Sequence, residues 1–167
     1  MKDMEGFEEF VRVCSSLASN LQGADLTRAV KKGAKVVQKA IQTQAPADTG
    51  VLREGLIMVK EKTRIRGKAV YQITPAREKN AIFQKPIRNP IRSKSPYAYY
   101  PASQEYGYFT RRPGGGMTYV RNDGSEATMN KVPGKHYMRT GADVASETAK
   151  NLIAKTLLDG ITKEYGG

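Results

Sequence analysis

Tryptophan is absent from the 167-residue chain, and cysteine and histidine occur once each. A single Cys14 excludes an internal disulfide, and with His136 as the only imidazole no His-based metal cluster can form. No apolar run approaches the roughly 20 residues that a membrane helix needs. The opening Met1-Lys2-Asp3-Met4-Glu5 lacks the basic start and apolar stretch of a secretory signal, so synthesis in a reducing cytoplasm is expected. Acid–base chemistry finds no local footing either. No Asp-x-Asp or Glu-x-x-His pairing occurs, and His136 sits beside Lys135 in a loop bounded by Gly and Pro. It reads as a surface or interface histidine, and the chain as a non-enzyme without a cofactor. The triplet Gly114-Gly115-Gly116 is no phosphate loop, because no Gly-Lys-Ser/Thr follows it.

Negative charge is also scarce where positive charge is dense. The net formal charge is +12, and eleven basic residues between Lys60 and Lys94 are opposed only by Glu61 and Glu78. Such a field attracts an acidic partner, whether nucleic acid or an acidic protein surface. Lys60, Lys62, Arg64 and Arg66 alternate as a strand would place them on one face. They are the candidates for a DNA-facing surface. Arg88, Arg92 and Lys94 lie among Pro86, Pro90 and Pro96 and are candidates for pairing with a neighbouring subunit.

With 39 % hydrophobic residues, the whole of 1–167 is expected to form one domain. Phe7, Phe10, Val11, Cys14, Leu17 and Leu21 recur at helical spacing, predicting an amphipathic N-terminal helix within 1–22, capped by Asp3. Cys14 lies on its apolar face and reads as a buried small hydrophobe. The region 25–75 reads as a helix from Asp25 to about Gln44, then a hairpin. Leu26, Val30, Gly33, Ala34, Val37 and Ile41 form the narrow apolar face of the helix, and Arg28, Lys31, Lys32, Lys35 and Lys39 its basic face. The first strand is expected from Leu56 through Arg66, a turn at Gly67-Lys68, and a return over 69–73 ended by Pro75.

The stretch 76–96 is predicted to be a basic, Pro-rich arm that becomes ordered on a neighbour. Six of the nine tyrosines fall between Tyr97 and Tyr119, interleaved with Arg111 and Arg112. That pattern suits strands and protein interfaces, and also stacking on single-stranded bases. Asn122-Asp123-Gly124 predicts a second hairpin within 97–132. The final region, 133–167, is expected to hold a helix from about Thr140. The order of elements predicts an α+β fold in which an antiparallel sheet packs against N- and C-terminal helices and long extended loops project.

Between the second helix and the first strand lies Ala45-Pro46-Ala47-Asp48-Thr49-Gly50-Val51-Leu52-Arg53. Pro46 disfavours helical geometry at Ala45, and Gly50 can take positive φ without a Cβ clash. This corner resembles the P-x-D-T-G-x-L-R signature of the small tail-completion, or head–tail joining (neck), proteins of long-tailed phages. Tyr97-Ala98 with Glu105-Tyr106-Gly107, and Tyr137-Met138-Arg139 as a run opening a C-terminal helix, are similar to two further parts of that family's pattern. The usual Pro and Ala around the last run are displaced here, with Pro133 four residues early.

The resemblance implies a virion structural protein at the head–tail interface. It would form a closed homo-oligomeric ring, commonly sixfold, stacked on neighbouring neck and tail rings around the DNA channel and assembled in the host cytoplasm. Pro46, Asp48, Thr49, Gly50, Leu52 and Arg53 would then be structural. Arg88, Arg92, Lys94, Tyr97, Glu105, Gly107, Tyr137 and Arg139 would meet neighbouring subunits, while DNA passes without sequence specificity and no membrane is involved. The competing class is a non-sequence-specific nucleic-acid-binding module, although no helix-turn-helix, finger or RNA-binding signature is present.

Overall fold

Helix α1 runs Ala24–Gln44 and stops one residue before Ala45, where Pro46 makes the helical conformation unfavourable. It belongs to a computed structural model that describes residues 23–48, 50–65, 67–87, 96–110, 117–120 and 124–165. The expected N-terminal helix falls outside these residues. After the corner comes a single turn, α2 (Val51–Glu54), followed by β1 (Leu56–Lys60) and β2 (Tyr71–Pro75). A 3₁₀ turn at Arg77–Lys79 leads into α3 (Asn80–Phe83), β3 (Gln84–Pro86) and β4 (Tyr97–Tyr99). Then follow α4 (Tyr100–Tyr106), β5 (Gly107–Thr110), β6 (Met117–Val120), β7 (Glu126–Pro133) and α5 (Tyr137–Tyr165).

The architecture is α+β, with long helices early and late and small sheets between them. The strands divide among three ladders, β1–β2, β3–β4 and β5–β7–β6, where one sheet was expected. The chain falls into two compact units, one of 1–40, 57–74 and 142–167, the other of 41–56 and 75–141.

In the first unit the small residues of α1 serve close helix packing. A Cβ on Gly33 would sit 2.6 Å from Ile153 Cδ1, so only a residue without a side chain lets α1 and α5 approach this far. Ala29, Ala145 and Ala149 are buried in the same unit. The first hairpin is shorter than expected. β1 ends at Lys60, and one further backbone bond, Glu61 N–H to Val70 O at 3.0 Å, closes it before the turn. Beyond it Lys62 and Arg64 lie outside any strand and Arg66 outside the described residues. The reason is physical: with Val59 and Ile65 exposed, this stretch has no apolar face to bury, and alternating charge alone does not hold a strand.

The second unit contains the larger core: Ile41, Ala45, Leu52, Leu56, Ala76, Phe83 and Tyr137 are all buried. Burying a side chain the size of Leu or Phe contributes about 1.5–3 kcal/mol. Gly55 backs onto the Phe83 ring, where a Cβ would lie 2.6 Å from Cζ, and Gly141 of α5 lies against the Ile41 backbone of α1, with 2.5 Å left for a Cβ. The expected arm is partly built into this core. Residues 77–87 form turns and β3 around the buried Phe83, and Ile87 N–H donates to Pro96 O at 2.8 Å. Residues 88–95 lie outside the described residues. Phe83 supplies the reason, because its buried ring anchors the stretch to the core while residues 84–86 stay exposed. The two strands of the second expected hairpin are antiparallel, β6 with β7 from Met117↔Met129 to Val120↔Glu126, and Gly124 takes φ +81°; residues 121–123 lie outside the described residues.

Candidate assembly site

The corner is fastened by Arg53. Its Nε donates to Ala45 O at 2.8 Å and an Nη to Thr43 O at 3.2 Å. Thr43 O belongs to the last turn of α1 and Ala45 O follows its end, where backbone acceptors have no partner inside the helix. A planar guanidinium can reach both at once, which an ammonium cannot. Gly50 allows the return, at φ +71° and ψ −19°, in the left-handed region. Leu52 points the turn into the core, and Glu54 meets Lys79 with 3.6 Å between Oε2 and Nζ. Pro46 is half-buried, Asp48 is exposed, and Thr49 lies outside the described residues.

A second fastening joins two segments far apart in sequence. Glu105 is buried, yet its carboxylate accepts Met138 N–H at 2.8 Å on Oε2 and Arg139 N–H at 3.3 Å on Oε1. These are among the first amides of α5, which otherwise lack acceptors, and a carboxylate there also meets the positive end of the helix dipole. Beside it, Gln104 O accepts Lys135 N–H at 2.7 Å and Glu105 O accepts His136 N–H at 3.2 Å. The approach is close enough to demand glycine on both sides. A Cβ on Gly134 would stand 2.1 Å from Glu105 O, and one on Gly107 (φ +84°) 2.3 Å from Val132 O. His136 takes φ +50°, unusual for a residue with a side chain, immediately before the helix begins. Tyr137 is buried next to this clamp, and its hydroxyl has no hydrogen-bond partner among the described residues. Burial first, and the Glu105 charge second, push its pKa well above the ordinary tyrosine value.

This clamp leaves an aromatic edge outside. Among the described residues β5 lies at the margin of its sheet and pairs with β7 alone, from Gly107↔Pro133 to Thr110↔Asn130. Tyr106 is 73 % exposed and Phe109 51 %, with Tyr97 and Tyr108 also open. Next to them lies an open groove of about 390 Å³, whose lining includes Lys85, Ile87, Ala98, Tyr100, Tyr108 and Phe109. Lys85 and Ala98 face it together because they pair across β3 and β4, and the Lys85 ammonium stands 5.6 Å from the Tyr100 ring centroid. Behind the groove Phe83 and Tyr99 meet edge to face, centroids 6.1 Å apart. An exposed apolar patch beside an unpaired strand edge is a surface for protein contact.

A family model described as "Bacteriophage HK97-gp10, putative tail-component" matches residues 9–107. The chain belongs to this family. The HK97-gp10-like region takes in α1, the corner, β1–β4 and the Glu105-Tyr106-Gly107 run, and stops short of Tyr137. No curated protein and no solved structure matches the chain. The protein is thus a bacteriophage tail component, a structural protein of the virion that assembles with other tail proteins. No helix among the described residues is long and apolar enough to cross a membrane.

The structure distributes the expected site residues unevenly. Glu105 and Tyr137, expected at a subunit interface, act inside the subunit: one caps α5 and the other fills the core. Gly107 is likewise committed to the close approach with β7. Tyr97 and Arg139 are exposed, as are Lys60, Lys62 and Arg64, while Arg88, Arg92 and Lys94 lie outside the described residues. Sequence reasoning missed the second role of Arg53 and the pairing of Glu105 with α5. The displaced Pro133 and the Gly134 that follows it were the signal that the chain closes in at this point.

Proposed function

We propose that this HK97-gp10-like protein is a tail-completion or neck subunit, forming a ring that joins or finishes the tail around the DNA channel. The observation that carries the reading is the exposed aromatic cluster of Tyr106, at the end of α4, with Tyr108 and Phe109 on β5, the edge strand of its sheet. A monomer gains nothing from leaving such an edge in water, whereas a ring subunit can bury it against its neighbour. The ring is sixfold by the family resemblance, and its work is assembly in the host cytoplasm, with no catalytic step. Tyr97 and Arg139 are exposed, and in this reading they meet neighbouring rings, to which Arg88, Arg92 and Lys94 would add positive charge. Lys60, Lys62, Arg64 and Arg66 give the channel side a weak, sequence-independent attraction to phosphate. Adding purified protein to phage particles assembled without it tests the reading. Heads and tails should join, and tails that remain unfinished in its presence contradict the assignment.

A second reading, a non-specific nucleic-acid-binding module, is favoured by one observation. Arg28, Lys31, Lys32, Lys35 and Lys39 are all exposed along α1, in a chain of net charge +12. Binding to arbitrary duplex separates the two. A DNA-binding module loses affinity with a log–log salt slope of about −0.9 per phosphate contacted. A ring subunit keeps its protein partners while its DNA binding stays feeble.

A further inference from the structure

The groove beside β5 is lined largely by apolar and aromatic side chains, and the chain carries a segment of the matching pattern. Phe7, Phe10, Val11 and Cys14 stand at i, i+3, i+4 and i+7, the anchor spacing by which an amphipathic helix seats in a hydrophobic groove. Between residues 3 and 11 the same segment carries Asp3, Glu5, Glu8 and Glu9 and no basic residue, in a chain whose net charge is +12. The groove presents the complementary charge in Lys85, which makes no ion pair among the described residues, beside the exposed Tyr108 and Phe109. An opening of about 390 Å³ admits a few large side chains from one helix face and no folded domain.

We propose that the groove receives residues 3–21 of a second copy of this chain, with Phe7, Phe10 and Val11 entering between Tyr108, Phe109 and Ile87 and the acidic residues reaching Lys85. This rests on the ring reading, because a contact between two different patches, repeated from copy to copy, closes into a ring when its rotation closes. The proposal names the contact; the ring reading requires only that some contact exists.

Cys14, the single cysteine, supplies the test. The full chain is mixed with a full-length Cys14→Ser, Ser103→Cys variant under a mild oxidant, Ser103 being another lining residue of the groove. The expected product is a disulfide-linked dimer containing one chain of each kind. Its yield should fall about tenfold or more when the first chain also carries Phe7→Glu and Phe10→Glu. Ser103 Oγ also donates to Tyr99 O at 3.2 Å, so Gln104→Cys at the same groove serves if Ser103→Cys misfolds. Sedimentation velocity on the same samples reports whether copies assemble. Assembly without a mixed dimer overturns the groove assignment and leaves the ring standing; a chain that stays monomeric overturns both. A chain carrying both cysteines that closes only on itself, at every dilution, places its own segment in the groove and also overturns the proposal.

Discussion

Glu105 and Met138 are joined by a 2.8 Å hydrogen bond across 33 residues of sequence, in which an amide N–H in the first turn of α5 donates to a buried carboxylate. One side chain thereby decides where a 29-residue helix begins and where the strand beyond Gly107 must run. Replacing it should be felt throughout the second unit. Glu105→Gln keeps the shape and an acceptor but loses the charge, and should cost about 1–2 kcal/mol. Glu105→Ala strands the amides and should cost more. Urea unfolding at constant m value measures both, and a Glu105→Ala protein as stable as the parent would remove the clamp from this account.

The buried tyrosines fix the alkaline limb of stability. In the folded chain burial raises the pKa of Tyr137, and to a lesser degree of Tyr99 and Tyr100, above the ordinary 10.0. The unfolded chain therefore releases protons near pH 10 that the native chain retains. Stability is complete below that pH and declines above it, by up to about 1.4 kcal/mol per pH unit for each such group. Tyr137→Phe should flatten much of this decline. It should also be neutral or stabilising near pH 7, since the hydroxyl it removes has no partner among the described residues.

Two glycines with positive φ should respond differently to the same substitution. Around Gly50 a Cβ meets nothing nearer than Glu54 Oε1 at 4.0 Å, so Gly50→Ala bears only the backbone penalty of about 1–2 kcal/mol. Gly107→Ala adds a collision at 2.3 Å with Val132 O, which nothing flexible can relieve. Thermal unfolding should rank Gly107→Ala clearly below Gly50→Ala. Equal losses would contradict the close approach of β5 and β7.

Charge reversal separates the two proposed basic surfaces. Arg88→Glu with Arg92→Glu should leave the subunit folded but block joining to heads or tails. Lys62→Glu with Arg64→Glu should permit joining and disturb DNA retention. Normal virions from the first double variant would contradict the division.

What the sequence disclosed was chemistry carried by neighbouring residues. Pro46 ends α1, Gly50 takes positive φ, and Asp123-Gly124 marks the second hairpin, because each acts within a few positions. Local charge misled at Lys62 and Arg64, whose alternation suits a strand but has no core face to bury. The onset of α5 at Tyr137, ahead of Thr140, was hidden because its cap is Glu105, remote in sequence and near only in the fold. Likewise the buried Phe83 ring anchors 77–87, although prolines and charge around it read as an arm.

The central claim is that the aromatic edge is an assembly contact. A cryo-electron microscopy reconstruction of tails completed with this protein tests it most directly. The account predicts a closed ring of its subunits in which Tyr106, Tyr108 and Phe109 are buried against protein. A ring with that edge open to water, or turned to the DNA, would contradict it.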